Sequence, residues 1–298
     1  IHKLGIFFRK KPRCMIWKIY GEQFSLEKWG DPAMLKISVI TVSYNAAATI
    51  EQTILSVVGQ TYPHIEYIIM DGESRDGTVD IIRKYEDQIA YWVSEPDQGI
   101  YDAMNKGIRR ATGDYIYFLG ADDWLRDDQV MQEVSEFIRL HPGYGLYMGN
   151  VFLYHPKLRM EKRQRTVFSI EEIKKGYMYP HQGMFVQRQL LQAGFDTKYK
   201  IAADYKFLLQ SIVKGNAFCV MDIDVAYYSL FGASADMTLN DEYMEIIKDC
   251  IGEEYLGRMR RLQKTAALRS GIKQILIGIL GEKRFLRFRG WKEFRLVH

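Results

Sequence analysis

Residues 115–124 read YIYFLGADDW, an apolar run of β-forming residues that ends in two adjacent aspartates. Such a run, closed by a glycine, is typical of a strand that is buried on both faces. Asp122 and Asp123 then stand at the end of the strand, where neighbouring carboxylates repel each other unless a cation or donors lie between them. Mg²⁺ and Mn²⁺ prefer oxygen ligands and often share substrate phosphates. The pair indicates either a metal site or a turn before the next helix.

The segments around this strand alternate between strand-like and helix-like patterns. Alternation with short turns predicts an α/β fold with a mainly parallel, doubly wound sheet. Ligands of such sheets bind beyond the carboxyl ends of the strands. The polar residues that follow the strands should therefore meet in one site. The predicted strands are residues 37–42, 65–70, 90–94 and 115–119, and the predicted helices begin near residues 49, 78, 99 and 130.

Polar side chains do follow each of these strands, and some have a chemistry that suits a nucleotide. Asp71 suits hydrogen bonds from a nucleobase or a ribose hydroxyl, and a turn with Gly72 is the other explanation. Arg75 and Lys106 suit phosphate contacts. Their convergence predicts a ligand site more strongly than any one residue does. The polar clusters are residues 43–45, 71–76, 95–98 and 122–123.

Composition and motifs exclude several other classes of protein. The chain has 298 residues, of which 47% are hydrophobic, and a net charge of +4. Its three cysteines are too few and too widely spaced for a disulfide framework or a cysteine metal site. No run approaches the ~18 apolar residues of a membrane span, and neither a G-x-G-x-x-G motif nor a P-loop occurs. Without a recognised nucleic-acid motif, we expect a cytoplasmic protein that binds no nucleic acid.

The order and spacing of the polar blocks carry a family resemblance. The main blocks are ISVITVSYN at 37–45, DGESRDGT at 71–78, EPDQGIYDAMNKG at 95–107, GDY at 113–115 and ADDW at 121–124. They resemble bacterial family 2 glycosyltransferases, which have the GT-A fold and build cell-surface polysaccharide. The likeness is specific over residues 36–125 and continues more weakly to residue 234.

The resemblance implies an inverting glycosyltransferase with a nucleotide-sugar donor, usually UDP-linked, and Mg²⁺ or Mn²⁺ as cofactor. Asp123 is the expected direct metal ligand, and Asp122 is either a second ligand or a ribose contact. Asp204 stands where the family has its catalytic base, and a cap on a predicted helix is the rival explanation. His181 and Gln182 are expected in the acceptor pocket. The expected donor-binding residues are Thr41, Tyr44, Asn45, Asp71, Arg75, Asp97, Lys106 and Asp122.

The predicted organisation has three parts. A basic extension covers residues 1–35, and a glycosyltransferase domain covers residues 36–235, with a nucleotide-sugar half to residue 125 and an acceptor half from residue 126. A helical, basic extension covers residues 236–298, and its cations and aromatics from residue 264 onward suit peripheral contact with an anionic membrane, at the inner face of the cytoplasmic membrane. The expected acceptor is a glycan or a lipid-linked oligosaccharide.

Two other functions remain open from the sequence. A sugar-phosphate nucleotidyltransferase would use a similar fold and metal, but it would need a loop rich in glycine and arginine where this chain has residues 43–47. A non-catalytic nucleotide-sugar binding protein would keep the donor site and lose the base.

Overall fold

The computed structural model describes residues 35–230 and 241–257, together with residues 10–11, 14–17, 260 and 295–296. Most of the predicted N-terminal extension and of the membrane-contact segment from residue 264 lies outside these residues. Within the described ranges, the helices are too short or too polar to cross a bilayer.

Strands and helices alternate through the described residues, as the sequence predicts. The strands are β1 (Lys10–Lys11), β2 (Cys14–Trp17), β3 (Ile37–Ser43), β4 (Ile65–Asp71), β5 (Tyr91–Ser94), β6 (Tyr115–Gly120), β7 (Trp124–Leu125), β8 (Leu146–His155), β9 (Met160–Gln164), β10 (Met184–Gln187), β11 (Phe218–Ser229) and β12 (Arg295–Leu296). The helices are α1 (Ile50–Val58), α2 (Thr78–Arg83), α3 (Ile100–Arg110), α4 (Val130–Leu140), α5 (Ile170–Lys174), α6 (Ala203–Val213) and α7 (Asp241–Ile251).

The main sheet has the order β1-β2-β11-β8-β10-β6-β3-β4-β5. Strands β5, β4, β3 and β6 are parallel, so their carboxyl ends meet at one edge. Strand β10 is antiparallel to both of its neighbours, β6 and β8, whereas β8 and β11 are parallel. The α/β prediction is confirmed, and the antiparallel insertion marks the passage from the first half of the sheet to the second.

The core forms one layer on each face of the sheet. Successive residues of a strand point to opposite faces. Ile40 and Phe118 accordingly belong to a cluster with α3, α6 and α7, whereas Val39 and Tyr117 belong to a cluster with α1 and α4. Helices therefore cover both faces, as a doubly wound sheet requires.

Helix α3 lies close to the sheet and brings its first turn to the strand ends. It follows Gly99, whose φ of +118° is unfavourable for other residues. Asp102 in the first turn and Arg109 in the last turn match the helix dipole. A Cβ at Gly107 would lie only 2.6 Å from a methyl carbon of Ile40, so this glycine permits the close packing.

Strand β11 is one strand with shifts of register around Asp224. Arg163 of β9 donates from Nε to Asp224 Oδ1 at 2.6 Å and from Nη2 to Asp222 Oδ1 at 3.0 Å. This arginine thus neutralises two acidic residues at the irregularity in β11.

Helix α7 comes from the predicted C-terminal extension, yet it packs into the core. Tyr243, Ile246 and Ile247 are buried. The ring of Tyr243 stacks on that of Tyr205 in α6, with centroids 4.6 Å apart. This helix therefore supports the segment that begins α6.

Candidate active site

A cavity of about 760 Å³ opens at the carboxyl ends of the parallel strands. Its volume is in the range of small-molecule sites. We name it the first cavity. Five of the predicted donor-binding residues line it, namely Tyr44, Asn45, Arg75, Asp97 and Asp122.

Asp71 lies beneath this cavity and organises the loops around it. The side chain is only 2% exposed and does not reach the cavity wall. Its Oδ1 accepts from the hydroxyls of Ser43 and Ser74, and its Oδ2 accepts from Ser74 N and the Ser94 hydroxyl, all within 2.9 Å. These four bonds hold the ends of three parallel strands together.

The loop after β3 presents an exposed aromatic ring beside a fixed asparagine. Asn45 has a φ of +48°, which asparagine tolerates better than most residues. Its backbone N donates to Ser74 Oγ, and its Oδ1 accepts from Arg75 N at 3.0 Å. The Tyr44 ring is 69% exposed, and the Arg75 guanidinium, paired loosely with Glu73, is also exposed. The ring and the cation are thus free to meet a ligand.

Thr41 and Lys106 do not line the first cavity. Thr41 is fully buried, with its hydroxyl 3.2 Å from the hydroxyl of Tyr67. Lys106 Nζ donates to the Pro96 carbonyl at 2.7 Å. Lys106 therefore fixes the loop that carries Asp97, and the structure does not place its ammonium on the cavity wall.

Asp97 reaches the wall because a glycine stands opposite. Its Oδ1 accepts from Gly99 N at 2.8 Å. A Cβ on Gly72 would clash with Asp97 Oδ2. Because Gly72 has no side chain, the Asp97 carboxylate can occupy this position.

The two adjacent aspartates point to different surroundings. Asp122 lines the first cavity. Asp123 is 2% exposed; its Oδ1 accepts from Ser229 N at 2.8 Å and its Oδ2 from Gln182 Nε2 at 2.7 Å. The sequence analysis ranked Asp123 first as a metal ligand. Both oxygens of Asp123 accept hydrogen bonds within the protein, whereas Asp122 faces the cavity, and which of the two binds a metal stays a prediction.

Burial and mutual repulsion make this pair electrostatically unfavourable without a cation. Burial, with the Asp122 charge as the next cause, raises the pKa of Asp123 to about 7. Burial also raises the pKa of Asp122, and nearby His181 opposes that change. A divalent cation at Asp122 would favour the charged form of both groups.

A second cavity of about 590 Å³ adjoins the first at Ile100, which lines both. Its wall contains the predicted acceptor residues His181 and Gln182 and the predicted base Asp204. The rest of the lining is mainly apolar and aromatic, including Tyr177 and other tyrosines. The structure thus brings these three predicted residues into one pocket.

Asp204 lies in the first turn of α6 with one oxygen held and one open. Its Oδ1 accepts from the Tyr101 hydroxyl and from Tyr205 N, both at 2.8 Å. Its Oδ2 lies 3.7 Å from Nδ1 of His181. The N-cap of α6 is Ala202, and Asp204 bonds only the amide of the next residue, so this contact is not an N-cap bond.

Sequence reasoning missed two residues that surround Asp204. Tyr101 lies within the block at 95–107 and at the start of α3, and this position could have indicated that it lies in the site. Glu242 of α7 has no comparable local signal. Its carboxylate accepts from the backbone N of Lys200, Ile201 and Ala202 at 2.8–3.0 Å. It therefore holds the loop that leads into Asp204.

Among the described residues, no three acidic, histidine or cysteine side chains form a metal-binding group. Mg²⁺ and similar ions, however, are often held by one or two carboxylates together with substrate phosphates. Asp122, on the wall of the first cavity, suits such a shared site.

The chain was compared with known protein families and with a related sequence. The model of glycosyl transferase family 2 matches residues 38–195. A PGL/p-HBAD biosynthesis glycosyltransferase of Mycobacterium bovis is 29% identical over 216 residues, which are 70% of this chain and 82% of that protein.

Solved structures share the fold at low sequence identity. Staphylococcus aureus TarS 1–349 in complex with UDP-GlcNAc has a TM-score of 0.57 and 20% identity over 77% of this chain and 70% of that one. The mannosyltransferase PcManGT of Pyrobaculum calidifontis in complex with GDP-Man and Mn²⁺ has a TM-score of 0.55 and 17% identity, covering 88% and 84%. These likenesses confirm the GT-A fold. The family match and the related glycosyltransferase establish that the chain is a glycosyltransferase and belongs to glycosyl transferase family 2.

Proposed function

We propose that this glycosyltransferase transfers a sugar, with inversion, from a nucleotide-diphosphate donor in the first cavity to a hydroxyl group in the second. A UDP-linked sugar is the favoured donor. The observation that carries the proposal is the contact of the two cavities at Ile100, with Asp122 on one side and Asp204 on the other. A donor and an acceptor bound in adjoining pockets would meet between these carboxylates.

The loops around the first cavity supply groups that suit a nucleotide. Tyr44 offers an exposed ring on which a base could stack, and Asp97 offers an acceptor for ribose hydroxyls. Arg75 offers an exposed guanidinium for phosphate. Asp71 contributes indirectly, through the serine hydroxyls that it fixes.

Asp122 is the residue proposed to hold Mg²⁺ or Mn²⁺ together with the donor diphosphate. When bound, the ion offsets the negative charge that develops on the leaving diphosphate. Asp123 supports this arrangement from beneath by fixing Gln182 and the end of β11.

Asp204 is the proposed base. Inverting transfer is a single displacement: the acceptor oxygen forms a bond to the anomeric carbon while the bond from that carbon to the phosphate oxygen breaks. The acceptor proton passes to Asp204 Oδ2, and the nucleoside diphosphate leaves with the bonding electron pair. Oδ2 suits this role because its partner Oδ1 is held by two donors.

The acceptor proposed is a glycan or a lipid-linked oligosaccharide of surface-polysaccharide synthesis. The Mycobacterium bovis relative is named for PGL/p-HBAD biosynthesis, which supports a role in making a cell-surface glycoconjugate. The aromatic lining of the second cavity suits the apolar faces of sugar rings.

Binding and turnover experiments test these roles separately. A panel of nucleotide sugars is screened with Mn²⁺ for thermal stabilisation and for release of the nucleoside diphosphate. Asp122→Asn should weaken Mn²⁺-dependent UDP binding at least tenfold. Asp204→Asn should lower turnover by about 10²–10⁴-fold and leave UDP binding within twofold. Asp80→Asn is the control, since Asp80 is exposed and its ion pair among the described residues is with Arg83.

Product analysis tests the proposed stereochemistry. Proton NMR of the product should give an anomeric configuration opposite to that of the donor, and a retained configuration would refute the inverting mechanism. Full transfer by Asp204→Asn would refute the assignment of the base.

A further inference from the structure

We propose that Tyr101 is a positioning residue for Asp204 and that its phenol changes hydrogen-bond acceptor when the carboxylate takes up a proton. This inference rests on the proposed role of Asp204 as base and adds a residue to it. In the charged state the phenol donates to Asp204; in the protonated state it donates to the Ile201 carbonyl.

The geometry gives one phenolic proton two equally close acceptors. The Tyr101 oxygen lies 2.8 Å from Asp204 Oδ1 and 2.8 Å from the Ile201 carbonyl oxygen. A tyrosine hydroxyl has a single proton and can rotate it between acceptors. Only one of the two bonds can be a full hydrogen bond at a time, so the donor must choose between them.

The charge on Asp204 decides that choice. A hydrogen bond to a carboxylate is stronger than one to a neutral carbonyl, so the phenol donates to Asp204 when that residue is ionised. Once Oδ2 holds the acceptor's proton, Oδ1 becomes a weaker acceptor and Ile201 competes. The phenol then keeps a partner in both states, which avoids leaving a buried donor unpaired.

Both acceptors are held in place by other residues. Asp204 Oδ1 also accepts from Tyr205 N. The Ile201 loop is fixed by Glu242, which accepts from Ile201 N and from the amides on either side. The second acceptor is therefore a built feature of the loop that leads into α6.

The phenol itself remains a donor. Tyr101 is 6% exposed. Burial, followed by the charge of Asp204, raises the pKa of Tyr101 well above its ordinary value. Among the described residues, the titratable groups around Asp204 include Tyr101 from α3, His181 from the turn before β10, Lys200 from the preceding loop, Tyr205 from α6, Tyr228 from β11, and Glu242 and Tyr243 from α7.

The variant Tyr101→Phe tests the proposal, with Tyr115→Phe as the matched control. Tyr115 is also buried and donates to a backbone carbonyl, that of Tyr144, far from Asp204. Turnover is followed as release of UDP from the UDP-sugar that the panel identifies, between pH 5 and 9. Thermal unfolding and the affinity for UDP with Mn²⁺ report folding and the donor site.

We expect Tyr101→Phe to bind UDP within twofold of wild type and to lose about tenfold or more in kcat. The pH at which activity is half lost on the acid side should rise, because the ionised base has lost a donor. Tyr115→Phe should keep the wild-type pH profile. An unshifted profile with kcat within threefold of wild type would overturn the role of Tyr101. If Asp204→Asn also keeps full transfer in that case, the proposed role of Asp204 is refuted as well. If Asp204→Asn is inactive, the proposed function stands and only the role of Tyr101 is refuted.

Discussion

Replacement of Gly120 by alanine should disturb both aspartates at the end of β6. An added Cβ would lie 2.7 Å from Asp123 Oδ2 and 3.1 Å from Asp122 Oδ1. The first distance is about 0.7 Å shorter than the 3.4 Å at which ordinary van der Waals contact begins. Asp123 cannot withdraw freely, because its two oxygens are bonded to Gln182 and Ser229.

The size of the effect follows from these contacts. Overpacking of a tight site costs about 1–3 kcal/mol, and weakening a buried hydrogen bond adds about 1 kcal/mol. We therefore expect Gly120→Ala to lower the free energy of unfolding by about 2–4 kcal/mol, or to lower Tm by roughly 3–6 °C for a chain of 298 residues. Displacement of Asp122 should also weaken Mn²⁺-dependent UDP binding at least tenfold.

Thermal unfolding and calorimetric titration with UDP, each with and without Mn²⁺, measure the two effects. The control is Gly257→Ala: no described atom lies within 4 Å of an added Cβ there, so stability should be nearly unchanged. If Gly120→Ala unfolds at the wild-type temperature and binds UDP normally, the rigid packing inferred around the two aspartates is wrong.

Three further predictions concern Glu66 and Asn105, which fix the backbone, and Glu242, which holds the loop before α6. Burial would raise the pKa of Glu66, but hydrogen bonds from Lys36, Ser38 and Thr112 outweigh it and lower this pKa to about 2. The charged carboxylate therefore stabilises the folded protein above the ordinary pKa of 4.5, and this stabilisation is lost as the pH falls towards 2. Urea unfolding should find Glu66→Gln less stable by about 1–2 kcal/mol at pH 7, since the Lys36 partner is partly exposed, and the difference should shrink below pH 4.5. Glu242→Ala should lower kcat by about tenfold or more without changing UDP affinity, because three backbone donors of the loop before α6 lose their acceptor. Unchanged steady-state rates would refute the inference that Glu242 holds this loop. Asn105→Ala should destabilise by about 2 kcal/mol, because both ends of its amide bond the backbone of Phe195, and a chemical denaturation midpoint equal to wild type would contradict this.

The elements around the first cavity could be predicted because their signals are local. The apolar runs that form β3, β4 and β6 each end in polar residues within a few positions. This local order was enough to place Tyr44, Asn45 and Asp97 at one edge of the sheet. Thr41 was misplaced because adjacent residues of a strand face opposite sides, and its side chain points into the core.

The different surroundings of Asp122 and Asp123 could not be predicted, because they depend on distant partners. Gln182 is 59 positions from Asp123, and Ser229 is 106 positions away. Nothing in the sequence near the pair specifies those contacts. The role of Glu242 could not be predicted for the same reason, because its hydrogen bonds join it to the loop before α6, about 40 positions earlier in the sequence.

The hydrogen bonds between Glu242 of α7 and the loop at residues 200–202 limit how this chain can be truncated or recombined. Residues matched to the family end at 195, before the proposed base and well before Glu242. A chain cut after residue 235 would keep the first cavity but would lose the helix that holds the Ile201 loop and covers Tyr205. Chimaeras among relatives should therefore carry α6 and α7 from the same parent, because Glu242 of α7 holds the loop that leads into the proposed base Asp204.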